Sequence, residues 1–325
     1  MVTYEKLSRR PKSAPSLIGM SLSSFDELYT EFEKVHSERI TELKVTRREG
    51  KLRKRAVGGG NKHRYSLRDR LLLTLFWLRV YTTYEVMGFF YELDKTNIED
   101  NLKDILASLA QMTSFSYEHP KDKQQKKLRS VEGVMDAFPD VRLVIDAKEQ
   151  RVQRPKNKKG GDGNPADRQR PYYSGKKKTH TIKNQIAVRP DGLIEVVSGS
   201  VPGGANHDIT VLRQTNLLDE LDEDEAAMMD KGYDGIKNDY PDTRIYQPYK
   251  ARRNHPLTDE QKVYNRFLSS YRVVVEHTLA QMNKYQVLAQ IYRHQKDEHT
   301  QIVRVVAGLV NRKIQATPLK TYAVA

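Results

Sequence analysis

The sequence contains no cysteine, and this absence excludes several kinds of chemistry at once. Without thiols the chain has no disulfide, no thiolate zinc site and no cysteine nucleophile. Such a chain is compatible with a reducing compartment but does not require one. Any metal site or catalytic group must therefore be built from other residue types.

Long apolar segments are also missing. No run approaches the roughly 18 apolar residues of a membrane-spanning helix, and the N-terminus has no apolar signal core. Hydrophobic residues still make up 38% of the chain, which indicates a folded protein rather than a disordered polycation. We therefore expect a folded chain that is not inserted in a membrane.

Acidic residues are outnumbered by basic ones. The 325 residues include 56 Lys and Arg against 42 Asp and Glu, which gives a formal net charge of +14. An excess of this sign attracts polyanions, so nucleic acid is the first candidate partner and an acidic membrane surface the second. The length allows two domains and a large core.

The first 62 residues predict a basic arm that contains one short helix, from residue 21 to residue 38. Residues 44–64 are strongly basic and include three successive glycines. A solvated linker and a phosphate-binding arm both fit this composition. The glycines are not followed by the Gly-Lys-Ser/Thr of a P-loop, so they are weak evidence for nucleotide binding.

Residues 63–111 predict three helices, with a tight connection before the last. Leu71, Leu72, Leu75 and Leu78 should be buried in the first of them, and Val86, Met87 and Phe90 should face inward in the second. The pattern resembles a helix-turn-helix DNA-binding module, although three-helix bundles also occur without DNA binding. The recognition helix would begin near Thr96. The residues placed to reach DNA would be Lys95, Thr96, Asn97 and Lys103.

After a connector at residues 112–139, the apolar pattern changes to that of strands. The predicted elements are a strand at 141–147, a hairpin of 179–188 and 193–200, a helix from 203 to about 221, a strand at 225–229 and a long helix at 264–293. This order predicts an α/β domain over residues 140–316, followed by a tail at 317–325.

Three carboxylates stand out in this α/β region. Asp146 and Asp230 each follow a short apolar strand, and Glu276 lies on the polar border of the long helix. Strand ends in α/β sheets are where ligands collect. Three acids without cysteine suit Mg²⁺ or Mn²⁺, and two such ions about 4 Å apart serve phosphodiester cleavage. The alternative is structural, with the aspartates capping strand ends and Glu276 paired with Arg272.

The order of motifs resembles that of a DDE transposase. The segments are Leu143-Val144-Ile145-Asp146, Tyr173-Ser174-Gly175-Lys176-Lys177-Lys178-Thr179-His180-Thr181-Ile182-Lys183, Asn206-His207-Asp208, Asp230-Lys231-Gly232-Tyr233-Asp234-Gly235, Pro248-Tyr249-Lys250 and Arg272-Val273-Val274-Val275-Glu276. The chain is similar to bacterial insertion-sequence transposases and to their PIF/Harbinger-like relatives, over about residues 65–314. The combined order is specific, whereas no single segment is.

The resemblance implies an RNase H-like catalytic domain, binding of terminal inverted repeats and target DNA, and strand cleavage and transfer with two Mg²⁺ or Mn²⁺ ions. It assigns Asp146, Asp230 and Glu276 as catalytic residues and metal ligands, and it implies a homodimer or larger assembly in the synaptic complex. The related signature has a lysine two turns after its glutamate, where this chain has Asn283, with Lys284 next to it. The signature's tyrosine falls at Ser269, and the actual tyrosine is Tyr271.

Further DNA contacts are expected beside these acids, where positive charge would guide the phosphate backbone. They are Lys176, Lys177, Lys178, His180, Lys183, Lys231, Tyr233, Arg272 and Lys284. His207 and Asp208 either orient a catalytic group or cap the following helix. The expected location is the cytoplasm with the nucleoid in a bacterial host, or the nucleus in a eukaryotic one. A DNA-binding protein without catalysis and a nuclease without transposition are the alternative functions.

Overall fold

The computed structural model describes residues 2–46, 63–112, 138–156, 158–159, 165–166, 169–251, 253 and 255–316. Most of the basic run at 44–64 and of the connector lies outside these residues. The chain divides into two units, Met1–Ser116 with Lys284–Val287, and Tyr117–Asn283 with Leu288–Ala325. The finer domain limits given above stay predictions. No helix in the described segments is long and apolar enough to cross a bilayer.

The described part of the first unit is helical. Its helices are α1 (Tyr4–Ser8), α2 (Ala14–Ile18), α3 (Leu22–Thr46), α4 (Leu67–Val80), α5 (Tyr84–Tyr91) and α6 (Lys95–Gln111). The predicted cap of α4 is confirmed, because the Ser66 hydroxyl accepts the backbone N–H of Asp69 at 3.1 Å. All four leucines expected in the core of α4 are buried. Helix α3 continues well beyond its expected end at residue 38.

The short helix α5 corrects one prediction. Met87 is buried as expected, but Val86 is 40% exposed and Phe90 is 50% exposed. Met87 and Tyr91 lie one turn apart and set the buried face, so Val86 and Phe90 turn away from it. The connection to α6 is tight, since a Cβ at Gly88 would lie 2.5 Å from the carbonyl oxygen of Leu93.

The second unit is built on a mixed sheet with helices on both faces. The strands are β1 (Val141–Arg151), β2 (Lys158–Lys159), β3 (Pro165–Ala166), β4 (Tyr173–Ser174), β5 (Thr179–Val188), β6 (Ile194–Val197), β7 (Val201–Pro202), β8 (Ala226–Met229) and β9 (Arg244–Tyr246). The helices are α7 (Asp208–Thr215), α8 (Ile236–Asp239), α9 (Asp259–Asn283), α10 (Gln286–Ala289) and α11 (His299–Ala316).

The main sheet has the order β4-β5-β1-β8-β9, and β6 and β7 also pair with β5. Strand β1 is antiparallel to β5 and parallel to β8, which in turn is parallel to β9. The predicted β5–β6 hairpin is confirmed. Its turn needs glycine, because Gly192 has φ +87° and the Arg189 N–H bonds the Leu193 carbonyl at 2.8 Å. The α/β class of this region is therefore as predicted.

Several predicted boundaries move, and helices α7 and α9 begin at Asp208 and Asp259 rather than at 203 and 264. Strand β1 runs on to Arg151 rather than ending near residue 147, because β5 continues to pair with it. Helix α7 ends at Thr215, since Asn216 adopts a left-handed conformation with φ 49°. Helix α9 ends at Asn283 and not at residue 293.

The sheet buries apolar side chains on both faces. One face packs against α7 and the chain around it, in a cluster that includes Ile145, Leu212 and Met229. The other face meets α9 and α11, whose fully buried residues include Val275 and Val306. Covering both faces explains why β5 is buried along most of its length rather than at alternate residues.

A buried histidine ties α11 to the sheet. The His299 ring bonds Ser200 Oγ through Nδ1 at 2.7 Å and Gln150 Oε1 through Nε2 at 2.9 Å. The Gln150 amide nitrogen donates to the carbonyl of Gln290, so its oxygen accepts from Nε2–H and Nδ1 accepts from Ser200. The imidazole is therefore neutral. Burial, with a smaller effect of the Lys148 ammonium, lowers the pKa of His299 to about 3.

We expect this histidine to make the protein acid-sensitive. An unfolded histidine has a pKa of about 6.5, so the unfolded state binds the extra proton first and stability falls as the pH drops from that value towards 3. The expected loss is about 1.4 kcal/mol per pH unit in this window. Urea unfolding at pH 7.5 and pH 5.0 measures it.

The matched variants for this measurement are His299→Gln and His255→Gln. His299→Gln should be less stable at pH 7.5 and less dependent on pH, whereas the exposed His255 should change neither quantity. Equal pH dependence in the wild type and His299→Gln would contradict the assignment.

Candidate active site

Two aspartates are brought together by strand register. Ile145 on β1 pairs with Met229 on β8, and the residue after each is an aspartate. Because neighbouring strands lie about 4.8 Å apart, Asp146 and Asp230 are adjacent at the edge where this parallel pairing ends. Asp230 follows its strand as predicted, but Asp146 lies in the middle of the 11-residue β1 rather than at its end.

Asp146 lies in an environment that disfavours its charge. Burial raises the pKa of this carboxyl above its usual value, and the neighbouring carboxylates of Asp230 and Asp208 raise it further. The backbone N–H of Ala147, which donates to Asp146 Oδ1 at 2.7 Å, and the Arg272 guanidinium act in the opposite direction. Three carboxylates therefore influence one another here, and a cation among them is electrostatically favoured.

Arg272 supplies positive charge at this edge. It projects from α9 and donates through Nη1 to Asp230 Oδ1 at 3.1 Å. The side chain of Arg272 is only 12% exposed and that of Asp230 is 45% exposed, so the contact is shielded from water on the arginine side alone. The alternative considered from sequence, a pair with Glu276 one turn along the helix, is not formed.

Asp208 is the third acid of the group. It is the first residue of α7, and its Oδ1 accepts from Lys183 Nζ at 2.9 Å. The same ammonium donates to the carbonyl of Asn206 at 3.0 Å. His207 occupies the N-cap position of α7, but its side chain makes no capping hydrogen bond. The structure thus gives Asp208 an ion pair and shows no capping bond from His207, whose role in orienting a catalytic group stays a prediction.

Glu276 is exposed on α9, one turn after Arg272. It is not among the groups that shift the pKa of Asp146. Within the described residues, no set of three or more acidic or histidine side chains is grouped closely enough to hold a metal ion. The structure brings Asp146 and Asp230 together without Glu276, and metal binding by all three stays a prediction.

Comparison with known proteins decides the family. A sequence profile of the DDE superfamily endonucleases matches residues 145–311, which is more than half of the chain. The chain belongs to this family. It is also similar to the probable transposase for insertion sequence element IS702 of Microchaete diplosiphon, with 25% identity over 259 residues, covering 78% of this chain and 83% of that protein. No solved structure gives a significant match.

Membership among the DDE endonucleases implies a divalent metal ion. The carboxylates at this edge of the sheet supply part of the ligand set that such an ion needs. Asp146 and Asp230 offer adjacent carboxylate oxygens, the ligand type that Mg²⁺ and Mn²⁺ prefer. Their mutual repulsion and the raised pKa of Asp146 show that this edge would accept more positive charge. Two candidate ligands, Asp146 and Asp230, therefore lie side by side, and no third carboxylate of the described residues completes a metal site with them.

Most of the predicted DNA contacts in this unit are on the surface. Lys176, Lys177, Lys178 and Lys231 are exposed, and His180 is half-buried against Tyr173, with ring centroids 5.6 Å apart. Burial lowers the pKa of His180, and the nearby charges of Arg154 and Lys296 lower it further. The DDE endonuclease therefore carries concentrated positive charge near the start of β5.

Two predicted contacts are corrected. Lys183 is 9% exposed and its ammonium is held by Asp208, so it supports the site from inside. Tyr233 is 1% exposed because the 3₁₀ turn Lys231–Tyr233 directs its ring into the core cluster. Burial, together with Asp208 and both candidate catalytic aspartates, raises the pKa of Tyr233 well above its usual value. Neither side chain is available to a DNA backbone.

Tyr271 and Lys284 also have structural surroundings. Tyr271 packs in an aromatic cluster with Phe138 and Phe267, with ring centroids 5.2 and 4.8 Å away. Lys284 belongs to the first unit, where its carbonyl accepts from Arg79. The lysine side chain is exposed, so its proposed contact with phosphate stays a prediction.

The predicted recognition residues of the first unit lie at the surface on α6. Lys95, Thr96, Asn97 and Lys103 are exposed. Lys95 pairs with Glu85 at 3.2 Å and Lys103 with Glu99 at 2.6 Å. Exposed pairs of this kind contribute little to stability, so both lysines can exchange their partner for a phosphate.

Sequence reasoning missed Lys148. It lies two residues after Asp146, on the same face of β1, and its ammonium donates to Asn283 Oδ1. Burial lowers the pKa of Lys148 to about 8. If the predicted strand had been extended past residue 147, the alternation of side chains along it would have placed Lys148 on the same face as Asp146.

We expect Lys183→Met to destabilise the second unit, because Asp208 would keep its charge without a partner. The loss in unfolding free energy should be about 2 kcal/mol, below the usual cost of breaking a fully buried pair because Asp208 is 26% exposed. Chemical denaturation of Lys183→Met, Asp208→Asn and the double variant measures the coupling. Additive losses would show that the ion pair contributes nothing.

Proposed function

We propose that this DDE endonuclease is an insertion-sequence transposase that cleaves DNA at the ends of its element and joins the freed 3′ ends to target DNA. The adjacent Asp146 and Asp230, held with Arg272 at one edge of the sheet, carry the proposal. The similarity to a probable insertion-sequence transposase over most of both chains supports it. The mixed sheet with helices on both faces is what an RNase H-like domain requires.

Two divalent ions would be held by Asp146 and Asp230, with Glu276 as the expected third ligand. When bound, such ions activate the attacking oxygen and offset charge on the leaving 3′ oxygen of a phosphodiester. The chain's own residues bind and orient the substrate. Arg272 holds Asp230 in place by a hydrogen bond from the side of α9, and Lys183 fixes Asp208 behind the two aspartates.

Positive charge around these acids would position the DNA. The exposed Lys176, Lys177 and Lys178 precede β5, and Lys231 directly follows Asp230. Contacts of this kind bind phosphates irrespective of sequence. Sequence recognition at the terminal repeats would then fall to the helices of the first unit, with α6 as the recognition helix. A complex that joins two element ends would contain at least two copies of the chain.

We expect Asp146→Asn to abolish cleavage of DNA that carries the terminal repeats, while binding of the same DNA stays nearly unchanged. The amide keeps the shape of the side chain but loses the charge that a metal ion needs. Gel analysis of cleaved and joined products in Mg²⁺ measures activity, and Mn²⁺-induced thermal stabilisation measures metal binding. Asp224→Asn, at an exposed aspartate, is the matched control.

The products separate the alternative functions. Cleavage at the repeat ends with joining to a second duplex supports transposition. Binding without cutting indicates a DNA-binding protein without catalysis, and cutting at any sequence indicates a nuclease. Equal loss of binding and cleavage in Asp146→Asn would remove Asp146 from the proposed metal site.

We expect Asn97→Ala to reduce the preference for repeat DNA over scrambled DNA. An exposed asparagine at the start of a recognition helix would read a base edge, and each such contact discriminates by about 1–3 kcal/mol. Fluorescence anisotropy with both duplexes measures the ratio of affinities. An unchanged ratio, with full cleavage activity, would place sequence recognition elsewhere than at Asn97.

A further inference from the structure

A cleft of about 800 Å³ lies beside the candidate active site, within the second unit. Strand β8 pairs with β1 only as far as Ile145, and Tyr292 forms a bridge with Val152 at the far end of β1. Among the described residues, no strand covers this edge of β1 between those two points. Residues 148–151 of β1 line the cleft, together with residues 288–291 and Arg293. The cleft thus begins two residues beyond Asp146 and follows the strand away from it.

The lining of the cleft is strongly basic. Its charged residues are Lys148, Arg151, Lys177 and Arg293 against a single carboxylate, that of Glu149. Glu149 is already engaged, because its Oε1 accepts from the Thr181 hydroxyl at 2.6 Å. Among the described residues, Lys148, Arg151 and Lys177 form no ion pair. Cations that have no carboxylate partner and face one cleft favour a polyanionic occupant.

Lys148 is the cation of this cleft that lies nearest to Asp146 along the strand. Alternate residues of a strand share a face, so the two side chains project from the same side of β1. The Lys148 ammonium donates to Asn283 Oδ1, at the last residue of α9. A lysine ammonium has three donors, and this bond uses one of them. Asn283 therefore anchors the ammonium and leaves it able to bond an anion.

We infer that this cleft binds the sugar–phosphate backbone of the DNA strand that enters the candidate active site, with Lys148 as the phosphate contact nearest Asp146. The inference rests on the proposed function, which supplies DNA as the substrate. Lys148 acts as a positioning residue, because a phosphate held two residues along β1 fixes where the next phosphodiester lies relative to Asp146 and Asp230. The exposed apolar residues Ala289 and Ile291 line the cleft beside the cations and suit contact with deoxyribose.

The test measures DNA binding without catalysis. The probe is a fluorescein-labelled duplex of random sequence in EDTA, titrated over a range of salt concentrations. Lys148→Met keeps the length of the side chain and removes its charge. It should weaken binding severalfold and reduce the slope of log K against log salt by about 0.7–0.9, the value for one phosphate contact.

Relocating the charge gives a sharper test. Lys148 Nζ and Asn283 Oδ1 meet at one point, so a lysine at position 283 would carry its ammonium to the same part of the cleft. Lys148→Met/Asn283→Lys should therefore recover the affinity and the salt slope. Lys237→Met makes the same change of charge at an exposed lysine outside the cleft, and it should leave the salt slope unchanged.

If Lys148→Met kept the wild-type slope of log K against log salt, the inference would be overturned. A folded double variant that recovers neither the affinity nor the salt slope would also overturn it. Circular dichroism and thermal unfolding establish that each variant is folded. The proposed function can fail independently. If the variants show the expected salt slopes but the wild-type protein never cuts repeat DNA, the cleft still binds the DNA backbone and the proposal of transposition fails.

Discussion

Ile145 lies opposite Met229 in a parallel strand pair, and the chain places an aspartate immediately after each of them. This register depends on apolar contacts on the opposite face of the sheet, since Ile145 and Met229 both belong to the core cluster under α7. Because side chains alternate along a strand, a slip of one residue would turn Asp146 into the core and away from α9. The chemistry of the site is thus set by packing on the opposite face of the sheet.

Two of the three neighbouring acids are paired with cations from other elements. Arg272 from α9 meets Asp230, and Lys183 from β5 meets Asp208. Among the described residues, Asp146 has the adjacent backbone N–H of Ala147 as its one hydrogen-bond partner, and burial raises the pKa of this carboxyl. The least compensated carboxylate is therefore the one at the centre of the group, where a divalent ion would gain most from binding.

Much of this arrangement could be read from the sequence. Local sequence patterns indicated the apolar runs before Asp146 and Asp230 and the turn at Gly192. The structure contains a strand at each of these runs and a turn at this glycine. The inward turn of Tyr233 and the pairing of Lys183 with Asp208 depend on contacts between distant segments. A local sequence pattern does not show which distant segments will touch, so Tyr233 and Lys183 were both expected at the surface.

The strand β1 carries both a candidate catalytic carboxylate and a lysine of the cleft, and its outer half is paired with β5 as far as Arg151. The interval from Asp146 to Lys148 is therefore two residues of extended backbone, about 7 Å. A shift of α9 or of the segment around residue 290 would narrow or widen the cleft but leave this interval unchanged. Under the proposed function, strand β1 would therefore keep a constant distance between the phosphate bound at Lys148 and the phosphodiester cleaved at Asp146.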